Sequence, residues 1–380
     1  MKILYIAQTS NSRTCSASKK IYSQCKALIQ LGNICKCISI FRNEGRLYHF
    51  NEDEEFFKDV VLQESLWSKI SRWFKLFFSS ISEETVQIIL DYEPDVIYIR
   101  NISPLLPSYI SFIKRIKGKA KVFWELPTYP YFKEYFQPFK IASLIHMLFD
   151  FRSIERLRKV VDEFVVVNEI IGKEAERLGV HRVIPNGFDV SSVPVRKPPE
   201  LNSEIHILGL ANLASWHGYD RIIDGISKYK GSKRIVFHLA PGSGKFELEK
   251  LKSLAMQLGV SESVIPYPPL YGKELTGLFD KCHIAAGSLG MHRIQLYKGS
   301  ILKLREYCSR GIPFFIAYKD EDFKNFSFCA TFEPSEEPID MNQVCSFIET
   351  VYETEDYPQI MRKYAEANLD WEVKMSKLFE

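Results

Sequence analysis

Short apolar runs alternate with stretches of helical periodicity along almost the entire chain, and this alternation constrains the fold more than any other feature. In the first half, the runs that read as strands are 2–7, 35–40, 96–100, 121–125 and 163–167. In the second half they are 205–210, 234–239, 263–267, 283–286 and 313–318. Strands separated by helices build βα units, and βα units build largely parallel sheets. A chain of 380 residues is too long for one ordinary core. The pattern also restarts after Val193-Pro194-Val195-Arg196-Lys197-Pro198-Pro199-Glu200, a proline-rich polar stretch suited to an interdomain linker. The expected class is therefore α/β, with two Rossmann-like domains over 1–192 and 203–361. The end of the chain, with Tyr364, Leu369 and Trp371, reads as a closing helix over about 362–380.

Composition excludes several classes. With 46% hydrophobic and 26% charged residues, the chain is a folded soluble protein. No uninterrupted apolar run reaches the length of about 18 residues that a membrane span needs. Met1–Ala7 is too short for the apolar region of a signal peptide and reads as a first strand, so a cytoplasmic location is expected. The eight cysteines form no CxxC pair and no zinc-like spacing, which predicts reduced, buried thiols. A net charge of +3 is too small to argue for nucleic acid. It is unevenly spread, however: residues 1–190 hold 27 Lys+Arg against 22 Asp+Glu, and the remainder 23 against 25. Anion-attracting surface is expected mainly in the first half.

The chemistry concentrates in residues 290–313. Ser300 is a suitable N-cap for a helix running to about Ser309, which Gly311 can end in a left-handed turn. Ile301, Leu304 and Cys308 would face the core, while Lys303 and Glu306 share another face. A helix start offers unpaired N–H groups and a positive dipole end, which suit a phosphate or diphosphate. Glu306 lies deeper, where a carboxylate can accept hydrogen bonds from a ribose diol. A capped surface helix carrying two solvated charges has the same spacing.

Residues 66–78 interleave aromatic with basic residues at helical spacing, with Leu66, Ile70, Trp73, Phe74 and Phe77 along one side. A second aromatic and basic stretch covers 129–151. Each matches a core helix covered by lysine stems, or a helix lying on an anionic membrane. The pair in the more basic half favours peripheral membrane contact.

Four segments then line up in order. Val183-Ile184-Pro185-Asn186-Gly187-Phe188-Asp189 resembles a signature of retaining, family 4-like glycosyltransferases with the GT-B fold. Residues 208–223, with Ser215-Trp216-His217-Gly218-Tyr219-Asp220, resemble the opening of their nucleotide-sugar domain. Residues 290–313 resemble their donor signature, two glutamates separated by seven residues and followed by a small-residue turn and Gly-x-Pro. The wording of WHGYD, SLGMHR and SILKLREY, with Glu125-Leu126-Pro127-Thr128-Tyr129-Pro130, is similar to a bacterial subgroup that builds capsule, exopolysaccharide or O-antigen units.

The resemblance implies two Rossmann-like domains facing across a cleft, an N-terminal acceptor domain and a C-terminal donor domain, with the closing helix packing back. It implies a hexosyltransferase-type enzyme that transfers sugar from a nucleoside diphosphate sugar to a hydroxyl of a glycan or lipid-linked oligosaccharide acceptor, with retention. It implies no metal and no further cofactor. Glu306 would hold the ribose, and the backbone of Ser300, Ile301 and Leu302 would approach the diphosphate. Arg293 and Lys303 would neutralise the leaving group. Asn212, Ser215, His217, Gly218, Lys298 and Gly299 complete the donor side.

Two positions depart from the family pattern. Lys298 stands where the sugar-facing glutamate belongs, and His217 replaces the lysine of the usual Lys-Gly pair. On the acceptor side, Arg13, Ser16 and Lys19 lie in or beside the loop after the first strand, and Arg100 and Glu125 lie at strand ends. Asp320-Glu321-Asp322 has the DxD form used for manganese, yet follows a late strand and reads as a solvated turn. Lys298 keeps a catalytically silent binding module as the alternative. A dinucleotide oxidoreductase lacks its GxGxxG after the first strand, and Gly242-Ser243-Gly244-Lys245-Phe246 is not a P-loop.

Overall fold

The computed structural model describes residues 1–8, 16–41, 44–50, 55–63, 80–81, 83–100, 102, 105, 107–127, 129 and 151–380. The chain divides into two compact units: Met1–Pro185 with Lys374–Glu380, and Asn186–Val373.

The first unit is built on a sheet of order β5-β4-β3-β2-β1-β6-β7-β8-β9. Its parallel part comprises β2 (Ile34–Phe41), β1 (Lys2–Gln8), β6 (Val96–Arg100), β7 (Lys121–Leu126), β8 (Glu163–Val166) and β9 (His181–Val183). All five expected strands are present. The central parallel strands β1, β6, β7 and β8 are buried on both faces along nearly their whole length, which is why they read as nearly continuous apolar runs. Beyond β2 an antiparallel extension adds β3 (Glu44–Phe50), β4 (Glu55–Gln63) and the short β5 (Ser80–Ile81). Arg46, His49, Glu55, Lys58 and Asp59 break up any apolar run there, so the hairpin escapes a search for buried strands.

The second unit has a six-stranded, parallel sheet of order β12-β11-β10-β13-β14-β15. These are β10 (Glu204–Asn212), β11 (Arg234–Ser243), β12 (Val264–Pro266), β13 (Ile284–Ala286), β14 (Phe314–Ile316) and β15 (Cys329–Thr331). Alternation along β10 sends Ile205 and Ile207 into one core and Leu208 into the other.

Two boundary expectations differ from the structure. The polar stretch 193–200 lies inside the second unit, where Arg196 is buried and donates to the carbonyl of Gly311 (3.0 Å) and the hydroxyl of Tyr357 (2.5 Å). Instead of one closing helix there are two, Tyr357–Asn368 and Trp371–Ser376. The first buries Tyr357, Met361 and Ala365 in the second unit, and only Lys374–Glu380 joins the first. The break between them is held by the Asn186-Gly187 turn: Phe188 N–H donates to Leu369 (2.8 Å) and Trp371 N–H to Phe188 (3.1 Å). A Cβ on Gly187 would lie 2.8 Å from the Trp371 ring, so this turn needs glycine.

Two buried histidines, His238 and His283, and the half-buried His206 cross the second sheet. His206 Nδ1 lies 2.8 Å from His238 Nε2, His238 Nδ1 lies 2.9 Å from the Tyr267 hydroxyl, and His283 Nδ1 accepts from His206 N–H at 3.0 Å. Burial lowers His206 and pushes His238 to about 3 and His283 to about 4. These folded values lie below the unfolded one, so the stability tied to neutral imidazoles is full above about pH 6.5 and is lost as pH falls toward 3. Urea unfolding at pH 7 and pH 5 should show the second unit losing roughly 2–4 kcal/mol, and His238→Phe should flatten that slope. A wild-type midpoint unchanged between the two pH values would contradict this.

Candidate functional site

The loops after β10 and β13 meet the start of the Leu302–Arg310 helix in the second unit. After β10, residues Ser215–His217 form a 3-10 turn, and Gly218 follows with φ 64°. A Cβ there would come 2.6 Å from the backbone nitrogen of Gly290, so glycine lets the two loops touch. Leu289 N–H donates to His217 (2.9 Å) and Gly290 N–H to Trp216 (3.1 Å). The WHG and SLGMHR segments are thus one interlocked structure.

Arg293 is the clasp of that structure. Its guanidinium donates to both Asp220 oxygens (2.9 and 2.6 Å), to Glu336 (3.0 Å) and to the carbonyl of Ser215 (2.8 Å). Hydrogen bonds from Arg293 hold the Glu336 carboxyl down at about 2. Sequence reasoning placed Arg293 at the leaving group; its fork is instead engaged by protein acceptors, because Asp220 and Glu336 match it in charge and geometry.

Ser300 also differs from expectation. Ile301 is the N-cap, and the Ser300 hydroxyl accepts from Asn186 N–H at 2.8 Å, while the Asn186 amide donates to the Ser300 carbonyl. The serine therefore ties the Asn-Gly turn to the helix start. Gly311 ends the helix in a left-handed conformation with φ 75°, as expected.

Lys303, in the first turn, points toward His217 and Tyr219. Its ammonium lies 3.1 Å from the Tyr219 hydroxyl and 5.3 Å from that ring's centroid. No carboxylate pairs with it among the described residues. Burial pushes Lys303 down to about 7. Tyr219 is itself anchored by the carbonyl of Leu210 (3.2 Å). His217 Nδ1 lies 3.2 Å from the backbone of Ala214, and burial, reinforced by Lys303, pushes it to about 3, so it is neutral at pH 7.

Glu306, one turn along, is oriented by Arg310, whose Nε donates to Oε1 at 2.9 Å and whose guanidinium lies over Phe279 at 4.4 Å. Its Oε2 has no partner among the described residues. Buried Gly299 follows exposed Lys298, which bridges to Lys319. Asn212 ends β10, where its amide oxygen would lie 2.5 Å from a Cβ on Gly242. Ser215, His217, Gly218, Gly299, Ser300, Ile301, Leu302, Lys303 and Glu306 thus share one end of the second sheet, around a cation and a helix start that both favour an anion.

Asp320 and Asp322 are not a solvated turn. Asp320 is buried, and both carboxylates accept from Arg305. Arg305 also donates to the carbonyls of Asn186 (3.1 Å) and Ile301 (3.2 Å). Nothing in the motif spelling of 290–313 marks Arg305 as a residue that holds the site, and the segments that contain Asn186 and Tyr219 do not show which groups these bond; an arginine next to Leu304 on the helix was the available signal.

In the first unit, Glu125 is 3% exposed, accepts from Lys20 (2.7 Å), Gln24 (3.0 Å) and Tyr98 (2.6 Å), and is ion-paired with Arg100 Nε at 3.5 Å. Burial alone would raise its pKa, but Lys20 and then Arg100 outweigh burial and hold it at about 2. Expected as an acceptor-facing carboxylate, Glu125 is instead the hub of a buried network. Lys19 is exposed on the Ser16–Gln30 helix, which Ser16 opens. Arg13, residues 66–78 and most of 129–151 lie outside the described residues. No helix among the described residues is long and apolar enough to cross a membrane.

The sequence matches no protein-family model and no curated protein. The fold does match solved glycosyltransferases. A glycosyltransferase from Rickettsia africae aligns over 100% of this chain and 96% of its own, with TM-score 0.62 and 13% identity. The lipopolysaccharide outer core galactosyltransferase WaaB aligns over 100% and 99%, with TM-score 0.61 and 14% identity. HepE of Anabaena, solved with UDP-glucose, aligns over 100% and 98%, with TM-score 0.60 and 12% identity. The chain therefore has the GT-B fold of two Rossmann-like domains.

Proposed function

We propose that this chain transfers a sugar from a nucleoside diphosphate sugar to a hydroxyl of a lipid-linked glycan, with retention, in the synthesis of a bacterial surface polysaccharide. The observation that carries this reading is Lys303: a half-buried ammonium with no carboxylate partner among the described residues, set in the first turn of a helix and one turn from Glu306, whose Oε2 likewise has no partner among them. A diphosphate supplies the missing negative charge, and Glu306 Oε2 is placed to accept from a ribose hydroxyl. In the reaction the bond from the anomeric carbon to the diphosphate breaks, and the acceptor oxygen bonds to that carbon on the same face. The departing phosphate oxygen takes the acceptor proton. Lys303 and the helix start stabilise the charge that develops on the leaving group, without a metal ion. Arg293 positions the two loops through Asp220, Glu336 and Ser215. HepE was solved with UDP-glucose, so UDP-sugars are the first donors to test. The lipid-linked acceptor motivates membrane contact through 66–78 and 129–151.

Calorimetry with UDP-, GDP-, ADP- and dTDP-sugars provides the test. One donor should bind, and Glu306→Ala should weaken it by about tenfold, the loss of a charge-assisted hydrogen bond to ribose. Unchanged donor affinity in Glu306→Ala would remove the ribose assignment. Binding without turnover for every donor and acceptor would favour the silent module that Lys298 motivates.

A further inference from the structure

Arg100 is the last residue of β6, paired in register with Ala7 of β1 and Glu125 of β7. It therefore stands at the C-terminal edge of the parallel part of the first sheet, where α/β folds place their ligands. Its side chain is only 16% exposed, and its nearest carboxylate, Glu125, is 3.5 Å from Nε. That carboxylate is already committed: Lys20 holds Oε1 at 2.7 Å, and Tyr98 and Gln24 hold Oε2 at 2.6 and 3.0 Å. Arg100 Nε makes no hydrogen bond, and neither terminal guanidinium nitrogen has a partner among the described residues.

The rest of the network is arranged to hold this arrangement still. Tyr5 donates to Gln24 at 2.7 Å, Gln24 contacts Met375 Sδ at 3.7 Å, and Tyr5 and Tyr98 pack with ring centroids 5.0 Å apart. A planar guanidinium held near Glu125 by an ion pair on its Nε side, with two terminal nitrogens unpartnered among the described residues, matches the two oxygens of a phosphate or carboxylate. Glu125, shared with Lys20, cannot fully neutralise it. Partial burial makes an unmatched guanidinium costly, and an oxyanion removes that cost.

We propose that this edge of the first unit binds an oxyanion of the acceptor, a phosphate or a carboxylate, through the terminal nitrogens of Arg100. Glu125, Lys20, Gln24 and Tyr98 are positioning residues for it. That the ligand is the acceptor rests on the transfer reading; that it is anionic rests on Arg100.

The test uses the full chain carrying Lys303→Met and Glu306→Ala, which disables the proposed donor side. It is titrated calorimetrically with glucose 1-phosphate, phenyl glucuronide and uncharged methyl glucoside. At least one anion should bind and methyl glucoside should not, and adding Arg100→Gln should weaken the anion by about tenfold or more. Preference for glucose 1-phosphate assigns a phosphate, and preference for the glucuronide assigns a carboxylate. No anion binding, equal binding of methyl glucoside, or an unchanged affinity in Arg100→Gln overturns the proposal. If Arg100→Gln does not fold, phenylglyoxal modification of the wild type, mapped by peptide mass, decides: the bound anion should protect Arg100, and unprotected Arg100 overturns the assignment. Arg100-dependent anion binding in a chain that turns over no donor would sink the transfer reading and leave this site standing. Transfer to an anionic acceptor with an unchanged KM in Arg100→Gln would do the reverse.

Discussion

Replacing Lys303 by methionine is expected to lower kcat/KM for sugar transfer by about 10²–10³-fold while leaving the thermal midpoint unchanged or raised. The two halves of that result have one cause. Burial holds Lys303 at about 7, and among the described residues its hydrogen-bond partner is the Tyr219 hydroxyl. The folded value lies below the unfolded one near 10.4, so the folded chain binds fewer protons between about pH 7 and 10 and its stability rises with pH across that window. At neutral pH the lysine therefore costs stability, and methionine, of similar length and without charge, removes that cost. A lysine kept for structure would behave oppositely: its removal would lower the midpoint and leave chemistry intact. Donor affinity should also fall as pH rises above about 7, by at most about tenfold per pH unit, because a diphosphate favours the ammonium form. This dependence should vanish in Lys303→Met. A methionine variant with wild-type turnover would end the assignment.

Arg305→Met is expected to have the largest effect on stability, about 3–5 kcal/mol in the second unit's unfolding transition. Arg305 is fully buried, and although burial lowers its pKa, Asp320 and Asp322 more than restore it, so it stays charged. Removing it leaves Asp320 buried without its main partner and releases the carbonyls of Asn186 and Ile301. The Asn-Gly turn and the helix start are then no longer tied together, so donor affinity should fall along with stability. A triple variant, Arg305→Met with Asp320→Leu and Asp322→Asn, should recover much of the stability, since no buried charge is stranded. It should not recover donor binding if Arg305 also sets the position of Ile301. Equilibrium urea unfolding and donor titration of the two variants separate these effects. A single variant as stable as wild type would refute the account.

The parallel strands were legible because a strand buried on both faces is apolar at nearly every position, as in Val96-Ile97-Tyr98-Ile99 or, apart from the half-buried His206, Ile205 to Leu210. The β3–β4 hairpin was not, because it belongs to no βα repeat and its residues alternate with charges. The helix start before Lys303 and the turn at Gly311 were legible from local chemistry, since a left-handed turn favours glycine wherever it occurs. Partners were not. Arg293, Ser300 and Glu125 were all recognised as polar residues in telling places, yet their hydrogen bonds run to Asp220 and Glu336, to Asn186, and to Lys20, Gln24 and Tyr98. These contacts span as many as 114 residues of sequence, and no local pattern encodes them.

The sequence by itself thus determined the α/β class, most of the strands and the neighbourhood of the donor-side helix, because periodicity and turn preference act within a few residues. Only the tertiary structure decided which charges are spent on one another and which remain for a ligand. Arg293 and Glu125 have their partners in the fold, whereas Lys303 and the terminal nitrogens of Arg100 have none among the described residues beyond the Tyr219 hydroxyl that orients the lysine. The physical reason is that a charge is neutralised by what lies within a few ångströms in space, and the chain brings those groups together only when it folds.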